Sequence, residues 1–207
     1  WNGFKFKPSY GGSASPEITS EIETYISDIE DSEQIPTMPI ASAEKIGLLE
    51  KIDPEPTYLN HIAELVNLTR IRNAGLNIAV DSMHGAGSKY FTKLIEGGTS
   101  RVVEIRDEYN PNFPNMIQPE PIEKNLKPLK DFIAGSNFDV CLATDGDGDR
   151  LGLLDENGNY ISTLQTFALI CKPLLENLDM KGPIIKSITM TNVINKLGEL
   201  HEVDVID

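Results

Sequence analysis

The sequence is short of cysteine, of aromatic residues and of positive charge, and the shortages exclude several classes of protein. Only two cysteines occur among 207 residues, Cys141 and Cys171, with no CxxC pair and no histidine cluster beside them. A disulfide scaffold and a thiolate metal site are excluded on that count. Cys141 sits inside an apolar run and reads as a small buried core residue. Cysteine usage of this kind belongs to a reducing compartment, and the expected location is cytoplasmic. Basic residues number 18 against 32 acidic ones, for a formal net charge of −14. Affinity for a polyanion comes largely from lysine and arginine neutralising phosphates, so the expectation is no nucleic acid partner. The same deficit argues for no membrane partner. No apolar run approaches the ~20 residues of a membrane span, and the first residues lack the basic, apolar, small-residue order of a secretory signal. A small phosphorylated metabolite stays open, because a metal ion or a few placed cations reverse the field locally.

What is present is a 40% hydrophobic content, distributed in short runs. The length suggests one full domain and part of another, at roughly 100–200 residues each. Phe4 and Phe6 alternate with Lys5 and Lys7, the period-two pattern of a half-buried strand. Pro16 suits a first helical position, and Ile18, Ile22, Tyr25, Ile26 and Ile29 follow at helical spacing. Residues 31–56 turn acidic and proline-containing, which reads as a connector with at most a short helix near 43–50. A helix is expected from Thr57. Strands and helices then alternate, with strands over 76–80, 102–105, 139–143, 151–154 and 184–187 and a last one at 203–206. Asn157-Gly158 is a two-residue hairpin signal between 151–154 and the strand at Tyr160. The fold class is therefore α/β, a mainly parallel sheet with helices packed on it plus an antiparallel hairpin strand.

The most informative text is Thr144-Asp145-Gly-Asp147-Gly-Asp149-Arg150, which follows an apolar strand. A strand of this kind delivers the chain to the carboxyl edge of the sheet, where open α/β sheets bind ligands. Aspartates at alternate positions concentrate negative charge, and the intervening glycines let the carboxylates converge. Left alone such a cluster repels itself; a hard cation removes the problem. Carboxylates without imidazole or thiolate favour Mg²⁺, Ca²⁺ or Mn²⁺. An EF-hand also begins D-x-D-x-D, and Glu156 falls at its twelfth position. Arg150 stands where that loop needs glycine, however, and both flanks read as strands. A phosphatase of the haloacid dehalogenase type would use Asp145 and Asp147, but its signature opens the fold. A non-enzymatic calcium-binding module and that phosphatase remain the alternatives.

The hexapeptide, with the text around it, resembles the α-D-phosphohexomutases, the phosphoglucomutase and phosphomannomutase superfamily. Trp1-Asn-Gly-Phe-Lys5-Phe-Lys resembles the strand after the family's phosphoserine loop, and Tyr10-Gly-Gly-Ser13 with Pro16-Glu17 resembles the following turn and helix. Val80-Asp-Ser-Met-His-Gly-Ala-Gly87 resembles the opening of the family's second domain, with Ser82 in place of a common proline. Pro111-Asn-Phe-Pro114, Pro119-Glu-Pro121 and Asn125-Leu126 match the approach to the metal strand, and Leu154-Asp-Glu-Asn-Gly158 matches the hairpin after it.

The resemblance implies that residues 1–40 are the end of domain 1 with its linker, and that 41–207 are domain 2. The phosphoserine is expected upstream of Trp1, and the sugar-reading and phosphate-binding loops of domains 3 and 4 beyond Asp207. It implies a mutase that interconverts hexose 1-phosphate and hexose 6-phosphate through a bisphosphorylated sugar. Hexose phosphates are then the ligands, Mg²⁺ the cofactor, glucose 1,6-bisphosphate the activator, and domains 1, 3 and 4 the contacts. Asp145, Asp147 and Asp149 are the implied metal ligands, Arg150 the phosphate contact, and Lys5 a catalytic lysine beside the phosphoserine. His84, in a glycine-flanked turn, is expected to bond to backbone. Residues 110–121 read as a rigid surface between domains.

Overall fold

A computed structural model describes residues 4–31 and 35–207. The expected start at Trp1-Asn-Gly and connector residues 32–34 lie outside them. The chain divides into two compact units between Asp53 and Pro54, where the sequence alone suggested 40/41.

In the first unit helix α1 spans Pro16–Asp31 and helix α2 spans Ile40–Lys45. The second helix starts directly after Pro39 and lies three residues earlier than the sequence pattern indicated. The expected strand at residues 4–7 does not form. Phe4 is 95% exposed and Phe6 45%, because an alternating segment becomes a strand only when a neighbour completes its ladder. Among the described residues of this unit none does.

The second unit opens with helices α3 (Glu55–Leu65) and α4 (Leu68–Arg72), the latter capped by the Asn67 side chain, which accepts from the Arg70 amide. Strand β1 (Asn77–Asp81), helix α5 (Tyr90–Ile95) and strand β2 (Arg101–Ile105) follow. A single 3₁₀ turn leads into α6 (Lys127–Ile133), then β3 (Val140–Thr144), β4 (Leu151–Leu154) and β5 (Tyr160–Ile161). The main sheet has the order β2-β1-β3-β4-β5. Strand β1 pairs parallel with β2 and β3, whereas β4 is antiparallel to both its neighbours. Four strands thus run one way and β4 alone is reversed, as the hairpin signal indicated. Helices α7 (Thr163–Glu176) and α8 (Val193–His201) come last, with β6 (Ile184–Ile185) and β7 (Val205–Ile206). These two strands pair with each other as a separate two-stranded sheet. They do not extend the main one, whose β5 edge is only two residues long.

Both faces of the sheet are covered, which explains why β1 and β3 carry continuous apolar runs, Ile78 to Val80 and Val140 to Ala143, rather than alternating. Ile78 and Val80 pack with Ile95, Phe91 and Leu142 on one side. Ala79, Cys141 and Ala143 pack with Leu126, Leu129, Ile133 and Leu154 on the other. Each large aliphatic side chain buried there contributes about 1.5–3 kcal/mol. Cys141 is buried as the sequence suggested, and burial pushes its thiol up to about 11.

A buried ion pair fixes the carboxyl end of β1. Asp81 has no solvent exposure and receives two bonds from Arg106, one at 2.8 Å from Nε and a second from Nη2. The Met83 amide also donates to Asp81, at 3.1 Å. The β1–β2 ladder carries on past the strands through Ser82 N to Ile105 O at 3.2 Å and His84 N to Arg106 O at 2.7 Å. Met83 and His84 are thereby held at φ 45° and 59°, in the left-handed region. Gly85 then passes so close to the next loop that a Cβ on it would lie 2.7 Å from the carbonyl oxygens of Asp145 and Gly146. Removing one member of a buried pair strands the other charge, at a cost of about 3–5 kcal/mol. Arg106→Ala is expected to lower the unfolding free energy by that amount in urea titrations. A loss below about 1 kcal/mol, typical of an exposed pair, would show that Asp81 finds another partner.

Candidate metal centre

The loop between β3 and β4 leaves the sheet at the carboxyl ends of the parallel strands and returns antiparallel after Arg150. Its closure is local. The Asp145 amide donates to the Arg150 carbonyl at 3.3 Å. In return the Arg150 amide donates to Asp145 Oδ1 at 3.0 Å, and Arg150 Nε to Oδ2 at 2.7 Å. Flanking strands rather than helices also rule out the EF-hand geometry.

Asp145, Asp147 and Asp149 each offer a carboxylate oxygen, and these oxygens lie within 4.8 Å of one another. Asp145 is fully buried, whereas Asp147 and Asp149 are exposed. Burial pushes the Asp145 carboxyl upward, but the Arg150 side chain and amide outweigh that and hold it below the ordinary range. Asp149 is displaced the other way, by its bond to Asp145 and by the charges of Asp147 and Asp145. Arg150 is raised further by Asp145 and Glu120. The pattern is that of carboxylates crowded about one point without enough positive charge between them. An all-oxygen donor set of this kind fits a hard divalent cation, with Asp147 and Asp149 open to solvent.

The structure brings four of the five sequence-derived site residues together: Asp145, Asp147, Asp149 and Arg150. Lys5 belongs to the first unit, where it is exposed on an extended segment. His84 is buried, with Nδ1 3.3 Å from the Glu108 carbonyl oxygen and 3.2 Å from its Oε1. It packs as a turn residue, as expected. Residues 110–121 do more than the sequence suggested. The Pro119 carbonyl accepts from the Gly146 amide at 3.0 Å, and Glu120 Oε1 accepts from Arg150 Nη1 at 2.9 Å. The resemblance marks Pro119-Glu-Pro121 as a motif, but nothing in the sequence pairs Glu120 with Arg150, thirty residues on. A cavity of about 600 Å³ opens beside the loop, lined by Tyr58, Ile62, Tyr90 and Phe91 together with Asp147 and Arg150. Tyr58 and Tyr90 meet edge to face at 5.4 Å between centroids.

The family model for the phosphoglucomutase/phosphomannomutase α/β/α domain II matches residues 56–158. A phosphoglucomutase/phosphomannomutase of Thermococcus kodakarensis is 30% identical over 75% of the chain and 34% of its own length. A probable phosphoglucosamine mutase of Methanopyrus kandleri is 27% identical over 96% of the chain and 42% of its own length. Among solved structures, a putative phosphomannomutase from Thermus thermophilus superposes with a TM-score of 0.70 at 25% identity, over 76% of this chain and 36% of that one. The chain therefore spans between a third and a half of the length of the relatives it matches. The family match runs from α3 to the hairpin turn at Gly158 and includes the acidic loop, Asp81, Arg106 and Glu120. On the fold, the loop and these likenesses together, the chain belongs to the α-D-phosphohexomutase superfamily.

Proposed function

We propose that this chain supplies the cation-binding part of a phosphohexomutase active site, in a protein that interconverts hexose 1-phosphate and hexose 6-phosphate through a phosphoserine and a bisphosphorylated sugar. The observation that carries the reading is the convergence of Asp145, Asp147 and Asp149 beside Arg150, at the carboxyl edge of a sheet that belongs to this family.

Phosphoryl transfer asks mainly for positioning and for neutralisation of oxygen charge. The three aspartates would hold Mg²⁺, which when bound withdraws charge from the phosphoryl oxygens. Asp145 is the fixed member, because burial and Arg150 leave it one position. Asp147 and Asp149 are the exposed members, which would complete the donor set for the ion. Arg150 adds a planar, permanently charged donor toward phosphate. Lys5, by resemblance, would assist proton transfer at the sugar hydroxyl. Relatives include a phosphoglucomutase/phosphomannomutase and a probable phosphoglucosamine mutase, so glucose, mannose and glucosamine phosphates are the candidate sugars. A cytoplasmic location suits such metabolites. Among the described residues no helix is long and apolar enough to cross a membrane.

Asp147→Asn is the cleanest test of the loop, because this side chain is exposed, whereas Asp145 is buried and bonded to Arg150. In the natural protein it is expected to weaken Mg²⁺ binding by calorimetry and to lower kcat by about 10²–10³-fold, the cost of removing one preorganised charge at a transition state. Retention of both would sink the ligand assignment. A second expectation concerns the phosphoryl carrier. The 207 residues contain no serine in the surroundings that the family resemblance requires. Incubated alone with glucose 1-phosphate, glucose 1,6-bisphosphate and Mg²⁺, this chain is expected to form no glucose 6-phosphate. Clear turnover in a coupled dehydrogenase assay would refute the assignment of the carrier serine.

A further inference from the structure

Glu120 sits on a strap that is tied both to the acidic loop and to the turn behind it. Pro119 and Pro121 are both buried. A Cβ on Gly146 would lie 2.7 Å from the Pro119 ring, and one on Gly152 only 2.4 Å from the Pro121 carbonyl oxygen. The strap therefore touches the loop on the two sides of Arg150, at close quarters. Asn125 Nδ2 donates to the Glu120 carbonyl at 2.9 Å and to that of Gln118 at 3.1 Å, pinning the strap from behind. Two prolines in three residues leave the segment few conformations to adopt.

The strap delivers one carboxylate to the Arg150 guanidinium. Nε already donates to Asp145 Oδ2 at 2.7 Å, and Nη1 donates to Glu120 Oε1 at 2.9 Å. Nη2 has no partner among the described residues. Asp149 waits 3.6 Å from Nε. An arginine that is 54% exposed has several rotatable bonds and would ordinarily wander, at an ordering cost of order 1–2 kcal/mol. Held at two of its three nitrogens, it cannot fold back to make a bidentate pair with the exposed Asp149. Such a pair would consume carboxylate oxygens that a cation needs.

We propose that Glu120 is the positioning residue of Arg150. It fixes the guanidinium plane so that Nη2 is free to meet a phosphoryl oxygen of the hexose phosphate, and it keeps the outer guanidinium nitrogens from turning onto Asp149. The proposal rests on the reading above in which Arg150 contacts phosphate. A bystander ion pair at the surface would contribute about 0–1 kcal/mol to stability and nothing to turnover.

The test is a double-mutant cycle in the natural protein with Glu120→Ala, Arg150→Ala and the combined variant, joined by Glu120→Gln. Misplacement of a positioned group by about 1 Å costs up to roughly 100-fold. Glu120→Ala is accordingly expected to lower kcat about 10- to 100-fold with the melting temperature held. Glu120→Gln, which keeps an acceptor oxygen for Nη1, should recover most of that loss. In the Arg150→Ala background the Glu120→Ala change should add little, since coupled residues are non-additive. A readout independent of turnover is the ¹⁵N-edited resonance of the Arg150 Nε–H in metal-free protein. It should be sharp and slowly exchanging in the parent and Glu120→Gln proteins, and broadened in Glu120→Ala. Unchanged kcat, an unchanged resonance, or a full Glu120→Ala loss without Arg150 would each overturn the proposal while leaving the metal centre standing. Full activity in Arg150→Ala would overturn the proposal together with the reading of Arg150 as a phosphate contact.

Discussion

A carboxylate with no solvent exposure, Asp145, is the constraint on which the site depends. Burying an unpaired charge is among the most unfavourable acts in folding, and this one is answered within five residues by the amide and guanidinium of Arg150. The answer fixes the loop. Both Asp145 oxygens have assigned donors, so β4 must begin where Arg150 ends. Asp147 and Asp149 are then left facing outward on the turn between. The residual cost of that arrangement falls on Asp149, whose carboxyl is displaced upward by its bond to Asp145 first and by the charges of Asp147 and Asp145 after it.

The same device recurs one strand away. Asp81 is buried at the end of β1 and Arg106, from the end of β2, answers it. Between these two closed pairs lies the Gly85 turn, which approaches Asp145 and Gly146 too closely for any side chain. The two carboxyl ends of the parallel strands are thus locked to one another through backbone, with little room for adjustment. Positioning of this kind suits phosphoryl chemistry, where geometry rather than a reactive side chain supplies most of the rate. The carboxyl ends are also where an α/β sheet of this order presents ligands.

How much of this the sequence revealed follows from distance along the chain. The Asp145–Arg150 loop was legible because all its parts are contiguous, and glycine alternating with aspartate between apolar strands is seldom a plain turn. The hairpin at Asn157-Gly158 was legible for the same reason, and Gly158 does adopt φ 77°. Pairings over longer separations left no local mark. Arg106 reads as one more arginine at a strand end, and Glu120 as a turn residue between prolines; only folding brings each to its partner. The alternation at residues 4–7 misled, because period two records a propensity and not the presence of a pairing neighbour. Strands β6 and β7 were correctly placed along the chain, but nothing in their residues says which sheet they join.

Charge supplies the last step. Around the loop stand four carboxylates, Asp145, Asp147, Asp149 and Glu120, against one guanidinium. These 207 residues together carry −14, so their other charges do not offset the local one. An anionic hexose phosphate approaching such a loop meets repulsion before it meets Arg150. On the proposed reading the loop becomes receptive to phosphate only after a divalent cation has taken the aspartates, and the free Nη2 of Arg150 then lies beside a far less negative centre. That order makes chemical sense of Glu120. A fourth carboxylate that merely added to the repulsion would be a liability, whereas one that keeps the outer guanidinium nitrogens of the single arginine off Asp149 preserves both an exposed ligand for the cation and the phosphate's donor. The excess of acid over base at this site is therefore consistent with phosphate chemistry, provided that the positive charge arrives as an ion rather than as a side chain.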